Sequence, residues 1–275
     1  MKILAICVVK NEADIIYHTL KSAAEWCDYI YVLDNGSDDE TWKIINTLAS
    51  KIPNIVPWKS INCPFNNCLR ADVFNQFRNN AAEGDWWCRL DADEIYLDSP
   101  RDFIRKHINA NDEVVWSIHI QYYFTDIDLE KYKENQSAYA PEIPPDRKYH
   151  YYCANASEAR FFKYRKRLEW RCGAWPKHMG RVCKNRIRVK HYQYRSPEQI
   201  EKRLRDRLSA KREGCDSFSH IKSYDWTRLI RNANELYFDG GNSELIIDEN
   251  KIPVHMEGFS RRMGKNIMHG LKIWP

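Results

Sequence analysis

Three groups of acidic and amide side chains each follow an apolar run near the start of this 275-residue chain. Asn11-Glu12 follows residues 3–9, Asp34-Asn35-Gly36-Ser37-Asp38-Asp39 follows residues 29–33, and Asp91-Ala92-Asp93-Glu94 follows residues 85–90. The third group carries the most chemistry. Carboxylates at i and i+2 after a buried strand aim at one point where the chain turns. Hard oxygen ligands of this kind suit Mg²⁺ or Mn²⁺, which complete their shells with water and phosphate oxygens. The sequence has neither a GxxxxGK[ST] loop nor a GxGxxG turn, which argues against P-loop hydrolysis and dinucleotide redox chemistry. A metal-bound diphosphate held without a glycine cradle points instead to a nucleotide-sugar.

The elements that must position these residues alternate. Residues 3–9 form a continuous apolar run of buried-strand type. Asp14 is placed to cap a helix to about residue 25, with Ile15, Ile16 and Leu20 near helical spacing. Strands follow at 29–33, 55–58 and 85–90, separated by helices beginning near Asp38/Asp39 and over 69–82. This βαβαβαβ order predicts an α/β fold, a Rossmann-like, mostly parallel sheet flanked by helices. Ligands of such sheets sit beyond the carboxyl ends of the strands, where the three polar groups lie. Ser196-Pro197 starts a further helix to about Glu213, with Pro in its first turn and Glu198 favouring its N-terminal dipole. Residues 224–237 read as helical, followed by a turn at 239–242.

Net charge is +5, but residues 160–195 alone carry +12, leaving −7 to the remainder. A concentrated positive field attracts phosphates, nucleotides or an anionic membrane; the alternative is a solvated strand pair with Lys and Arg on its outer face. No helix-turn-helix, zinc-finger or RNP pattern accompanies it, so no nucleic acid is expected. Nine cysteines, an odd number with no CxxC pair, predict free thiols in a reducing cytoplasm. No apolar run approaches 18 residues. The end of the chain places Met263, Ile267, Leu271 and Trp274 near helical spacing, with Arg261, Arg262, Lys265 and Lys272 between them. That pattern suits a cytoplasmic protein with peripheral contact on an anionic bilayer.

Residues 5–12, 32–41 and 86–94, taken together in this order, resemble the family 2 glycosyltransferases and the wider GT-A fold. The resemblance implies a catalytic domain over 1–200, with a nucleotide-sugar half at 1–94 and an acceptor half at 95–200, followed by a mainly helical extension at 201–275. It also implies roles. Val9, Asn11 and Glu12 line the donor pocket, Asp34 binds the base or ribose, and Arg70 and Arg78 stand near the phosphates. Asp91 faces the ribose or a metal-bound water, and Asp93 ligates the metal. Residues 188–199 look like the end of the catalytic core in bacterial lipopolysaccharide and capsule relatives, where the His191 position joins Asp91 and Asp93 at the metal. The expected cofactor is Mn²⁺ or Mg²⁺. The expected partners are a UDP- or GDP-linked sugar and a glycan or lipid-linked acceptor.

Positive charge develops on the sugar and negative charge on the departing diphosphate. A cation and fixed donors stabilise the latter, so Asp93→Ala is expected to abolish transfer with little loss of folding stability. An inverting enzyme also needs a base. The resemblance expects a His-Glu pair, but here His178 is followed by Met179. His178 and Glu158 are the candidates, with Asp126 and Asp128 behind them. Aromatics crowd residues 122–175, serving either sugar stacking or the core. Two other functions fit parts of the pattern: nucleotidyl transfer making a sugar nucleotide, and glycan or RNA binding on the basic strip.

Overall fold

A computed structural model describes residues 1–215, 223–241 and 244–274. Strand β1 (Ile3–Val9) is flanked by β2 (Tyr29–Asp34) and β4 (Trp86–Leu90), and β3 (Ile55–Ser60) extends the sheet beyond β2, all four parallel. Every residue of β1 is buried because both faces of the sheet are covered. Ile3, Ala5, Cys7 and Val9 pack with Ile16 and Leu20 of α1 (Ile16–Ala24) and Ile45 of α2 (Thr41–Ala49). Leu4, Ile6 and Val8 pack with Leu69, Val73 and Phe74 of α3 (Cys68–Phe77) on the other face.

The sheet continues unbroken across the expected half-boundary. β4 pairs antiparallel with β7 (Tyr151–Lys163), and the order then runs through β6 (Asp112–Tyr122) and β9 (Ile187–His191) to the edge strand β5 (Glu94–Tyr96). β8 (Arg181–Val182) pairs with β6, and β10 (Tyr237–Phe238) with β7. The helices α4 (Pro100–His107), α5 (Asp126–Glu134), α6 (Pro197–Arg212) and α7 (Phe259–Gly270) complete the layers. This is the α/β architecture the alternating pattern implies. The aromatic stretch is chiefly core: Tyr122, Phe124, Tyr149, Tyr152, Phe161, Phe162, Tyr164 and Trp170 are all buried.

Several expectations are corrected. Asp14 does not cap α1, whose N-cap is Ile15 without a side-chain bond; Asp14 is drawn away to Arg195. The stretch 224–237 is not one helix. It breaks into 3₁₀ turns at Trp226–Leu229 and Ala233–Glu235, because Asp225 and Asn232 each bond a backbone N–H two residues on and restart the chain. The extension is therefore less helical than expected. Residue 242 of the following turn lies outside the described residues. Nor is the basic strip a solvated pair: Arg160 and Arg195 are fully buried.

The cysteines also differ. Cys68, at the start of α3, is disulfide-bonded to Cys172, which lies 104 residues away in the chain. Sequence spacing carries no signal for such a pair. The remaining seven are free. Alkylation of the denatured, unreduced protein is expected to label seven thiols, against nine after reduction. Closing so long a loop is expected to stabilise the fold by about 2–4 kcal/mol, read as the loss in a Cys172→Ser melt.

Candidate active site

A cleft of about 780 Å³ opens at the carboxyl ends of β1 and β4, within the size range of nucleotide and small-molecule sites. Val9, Asn11 and Glu12 line it from the end of β1, and Asp91 and Asp93 from the end of β4. Asn11 turns the chain sharply there. Its φ is 55°, a left-handed conformation that Asn tolerates better than most residues. Its backbone N–H donates to Ser37 Oγ at 2.9 Å, and its side-chain amide donates to Asp206 Oδ2 at 2.8 Å. The loop after β2 comes close because residue 36 is glycine. Its φ is 72°, and a Cβ there would stand 2.8 Å from the Cα of Asn62.

Asp34 is not among the cleft residues. It is fully buried and accepts hydrogen bonds from the hydroxyls of Ser37 and Ser60, both at 2.5 Å. Asn35, beside it, does line the cleft. Of the two candidate phosphate arginines, Arg70 reaches the cleft and donates to Asp91 Oδ1 at 2.9 Å. Arg78 donates to the Lys166 carbonyl at 2.7 Å and lies outside the lining.

The two central carboxylates are enclosed by cations. Asp91 also meets Arg160 at 3.0 Å and Arg89 at 3.4 Å. Asp93 accepts from Arg203 at 2.7 Å and meets His191 at 3.3 Å and Arg195 at 3.8 Å. Desolvation acts to raise both carboxyls, but Arg89, Arg160 and Arg70 hold Asp91 well below the ordinary range. His191 and Arg203 do the same for Asp93. Arg195 and Arg203 reach Glu12 as well. Asp93 is thus part of a buried ion network, so its removal is not neutral for folding as expected from sequence. Arg203, Arg195 and Arg160 were not singled out as site residues by the sequence. Their partners Glu12, Asp91, Asp93 and Glu94 lie far away along the chain, and only the fold brings them together.

A further group adjoins the cleft through His191. Ligand atoms of Glu94, His119 and His191 fall within 4.8 Å of one another, the one such group among the described residues that could hold a metal ion. His119 Nε2 and His191 Nδ1 are buried without a hydrogen-bond partner, which fits imidazole nitrogens open to a cation. Desolvation, aided by Arg160, holds His119 well below its ordinary pKa and so neutral. The same desolvation pushes the Glu94 carboxyl up to about 7, against the pull of Arg160. His191 is shared between this group and the cleft, whereas Asp91 and Asp93 belong to the cleft alone.

The candidate bases are separated. Glu158 is exposed on β7 and lines the cleft, 3.4 Å from Arg160 Nη1 and 3.6 Å from Arg89 Nη1. His178 lines a different, smaller cleft with Arg167 and Lys177, its ring 4.5 Å from that of Trp274. Asp126 and Asp128 serve α5: Asp128 completes a capping box with Thr125, and Asp126 accepts from the Ala233 N–H.

Residues 5–175 match the family model described as glycosyl transferase family 2. A TPR repeat-containing protein of Synechococcus elongatus is 28% identical over 119 residues, which is 42% of this chain and 26% of that protein. The chain therefore spans about a quarter of the length of that curated relative. Among solved structures, S. aureus TarS 1–349 in complex with UDP-GlcNAc is 22% identical, with 45% of this chain and 34% of that one covered and a TM-score of 0.32. Mannosyltransferase PcManGT from Pyrobaculum calidifontis, in complex with GDP-Man and Mn²⁺, is 14% identical, with 78% and 65% covered and a TM-score of 0.40.

Proposed function

This chain belongs to glycosyl transferase family 2, and from that premise we propose that it moves a sugar from a nucleoside-diphosphate donor to a hydroxyl of a glycan or lipid-linked acceptor, with inversion. The observation that carries the reading is the cleft itself. It joins Asp91 and Asp93 to Arg70, Arg89 and Arg203 at the carboxyl ends of parallel strands.

Transfer breaks the bond between the anomeric carbon and the diphosphate, leaving negative charge on the leaving group. Fixed guanidiniums stabilise that charge without reorganising. Asp91 and Asp93 set the positions of those guanidiniums through the contacts described above. A bound Mn²⁺ or Mg²⁺ would add Lewis-acid stabilisation of the same charge; His191, which the cleft shares with Glu94 and His119, would be its ligand, and Asp91 and Asp93 would join it only on leaving their arginines. Asn35 lines the same cleft, and its Oδ1 accepts from the Cys63 thiol at 3.2 Å.

Glu158 is the base in this reading. Its contacts to Arg89 and Arg160 are long enough to orient the carboxylate while leaving lone pairs open to an acceptor hydroxyl. Glu158→Gln is expected to lower kcat by about a hundredfold or more with donor affinity retained, whereas His178→Asn is expected to remain near wild type. Steady-state kinetics on both variants check this; the reverse ranking assigns the base to His178.

A panel of nucleotide-sugars, assayed with Mn²⁺, Mg²⁺ or chelator, tests the function. The expected result is release of a nucleoside diphosphate on addition of acceptor. Formation of pyrophosphate instead would place the protein among nucleotidyl transferases, and no turnover with any donor would remove the reading.

A further inference from the structure

Helix α7 turns the wrong side to water. Phe259, Met263, Ile267 and Leu271 stand four residues apart, so they share one broad stripe of the helix. They are 81%, 52%, 47% and 65% exposed, and Ile273 just beyond them is 59% exposed. None of these side chains joins a hydrophobic cluster among the described residues. Two polar side chains of the helix meanwhile face the protein. Lys265 Nζ donates to the Gly180 carbonyl at 2.8 Å and pairs with Glu257 at 2.6 Å. The His269 ring meets Arg165 Nη1 at 2.7 Å. A helix with only water outside it has the opposite arrangement, apolar inward and polar outward.

The surroundings of the stripe say what covers it. The helix leans on the segment 163–181, which contains Lys163, Arg165, Lys166, Arg167, Arg171, Lys177 and Arg181 against the single acid Glu169. Lys166, Arg167, Arg171 and Lys177 are exposed, as are Arg261 and Lys272 on α7 and just after it. Arg167 donates to the Lys272 carbonyl at 2.9 Å, which fixes the basic segment against the end of the helix. The apolar stripe is therefore bordered by positive charge. A second copy of this chain would bring an identical basic border against it and be repelled. A surface of anionic headgroups over acyl chains complements both features at once.

We propose that α7 and the segment 163–181 dock this protein onto an anionic lipid bilayer, with α7 lying in the interface and its apolar stripe in the acyl region. The docking does not depend on the sugar chemistry. Ala174, from the same segment, lines the donor cleft, so a lipid-linked acceptor would be presented beside the cleft; that consequence alone rests on the proposed transfer.

The test is flotation of the full chain with phosphatidylcholine vesicles prepared with and without phosphatidylglycerol. Wild type is expected to float with the anionic vesicles, to stay behind with the neutral ones, and to be released as salt rises. The triple variant Phe259→Glu, Ile267→Glu, Leu271→Glu alters only exposed side chains and is expected to keep its thermal midpoint while losing vesicle partition at least about tenfold. Any of four results overturns the proposal. These are no flotation of wild type with anionic vesicles, equal flotation with both kinds, undiminished flotation of a folded triple variant, or a wild-type dimer by sedimentation that the triple variant dissolves.

Discussion

Asp93→Ala is expected to remove transfer almost completely and to cost several kcal/mol of folding stability at the same time. Both effects have one origin. The Asp93 carboxylate faces Arg203, Arg195 and His191, and Arg195 is among the most deeply buried side chains in the protein. Breaking a buried ion pair by deleting one partner typically costs about 3–5 kcal/mol, since it leaves the other charge uncompensated. Loss of the carboxylate also releases Arg203 from its place in the cleft; in the proposed reaction that guanidinium meets the leaving diphosphate, a contact of the kind worth on the order of a hundredfold to a thousandfold in rate. Asp93→Asn keeps the shape and separates the two effects: a smaller fall in thermal midpoint, with transfer still strongly impaired.

The pH dependence follows with a definite sign. The carboxyl of Asp93 is held below its unfolded value, which is near 3.9. The native state therefore binds fewer protons than the unfolded one over that range. The stability this supplies is complete above the unfolded value and is lost as pH falls through the folded one. Wild type should lose stability steeply below about pH 4, and Asp93→Asn should show a shallower acid limb. Thermal melts from neutral to acid pH measure it. A variant with wild-type midpoint and turnover would detach Asp93 from both roles.

How much of this was legible beforehand depended on sequence distance. The polar groups after β1, β2 and β4 could be read because each follows a continuous apolar run, and a strand's end is a local fact. The side chains that hold them could not. Arg195 meets Glu12 across 183 residues, and Arg203 does so across 191. Within the basic strip, the sequence gives the charge but not which arginines turn inward. Arg160, on β7, is buried against Asp91 and Glu94, while Lys166, six residues further on, is exposed. Asp34 shows the converse error: a polar residue at a strand end reads as a ligand, yet two nearby serine hydroxyls satisfy it. The broken stretch at 224–237 fails for a related reason, since Asx turns outcompete a helix that hydrophobic spacing alone would allow.

Arg203→Ala carries the second large effect, because α6 is the element through which the late part of the chain reaches the cleft. Its residues Arg203, Asp206 and Arg207 line the cleft, and the N-cap Ser196 accepts from the Gln199 N–H to begin the helix. Arg203 Nη2 bridges Glu12 and Asp93. A lysine in its place keeps one charged nitrogen but loses the planar guanidinium's remaining donors and its reach. Arg203→Ala is therefore expected to lower kcat/KM by on the order of a hundredfold or more, and Arg203→Lys to recover only part of it. Lys202→Ala is the control. Its partner Asp38 is exposed, so the change should fall within about 0.5 kcal/mol in stability and leave turnover unaltered. If Arg203→Lys were fully active, the site would need only positive charge from α6. If Arg203→Ala were fully active, α6 would be a strut for Asn11 and Asp206, and the charge on the leaving group would rest on Arg70 and Arg89 alone.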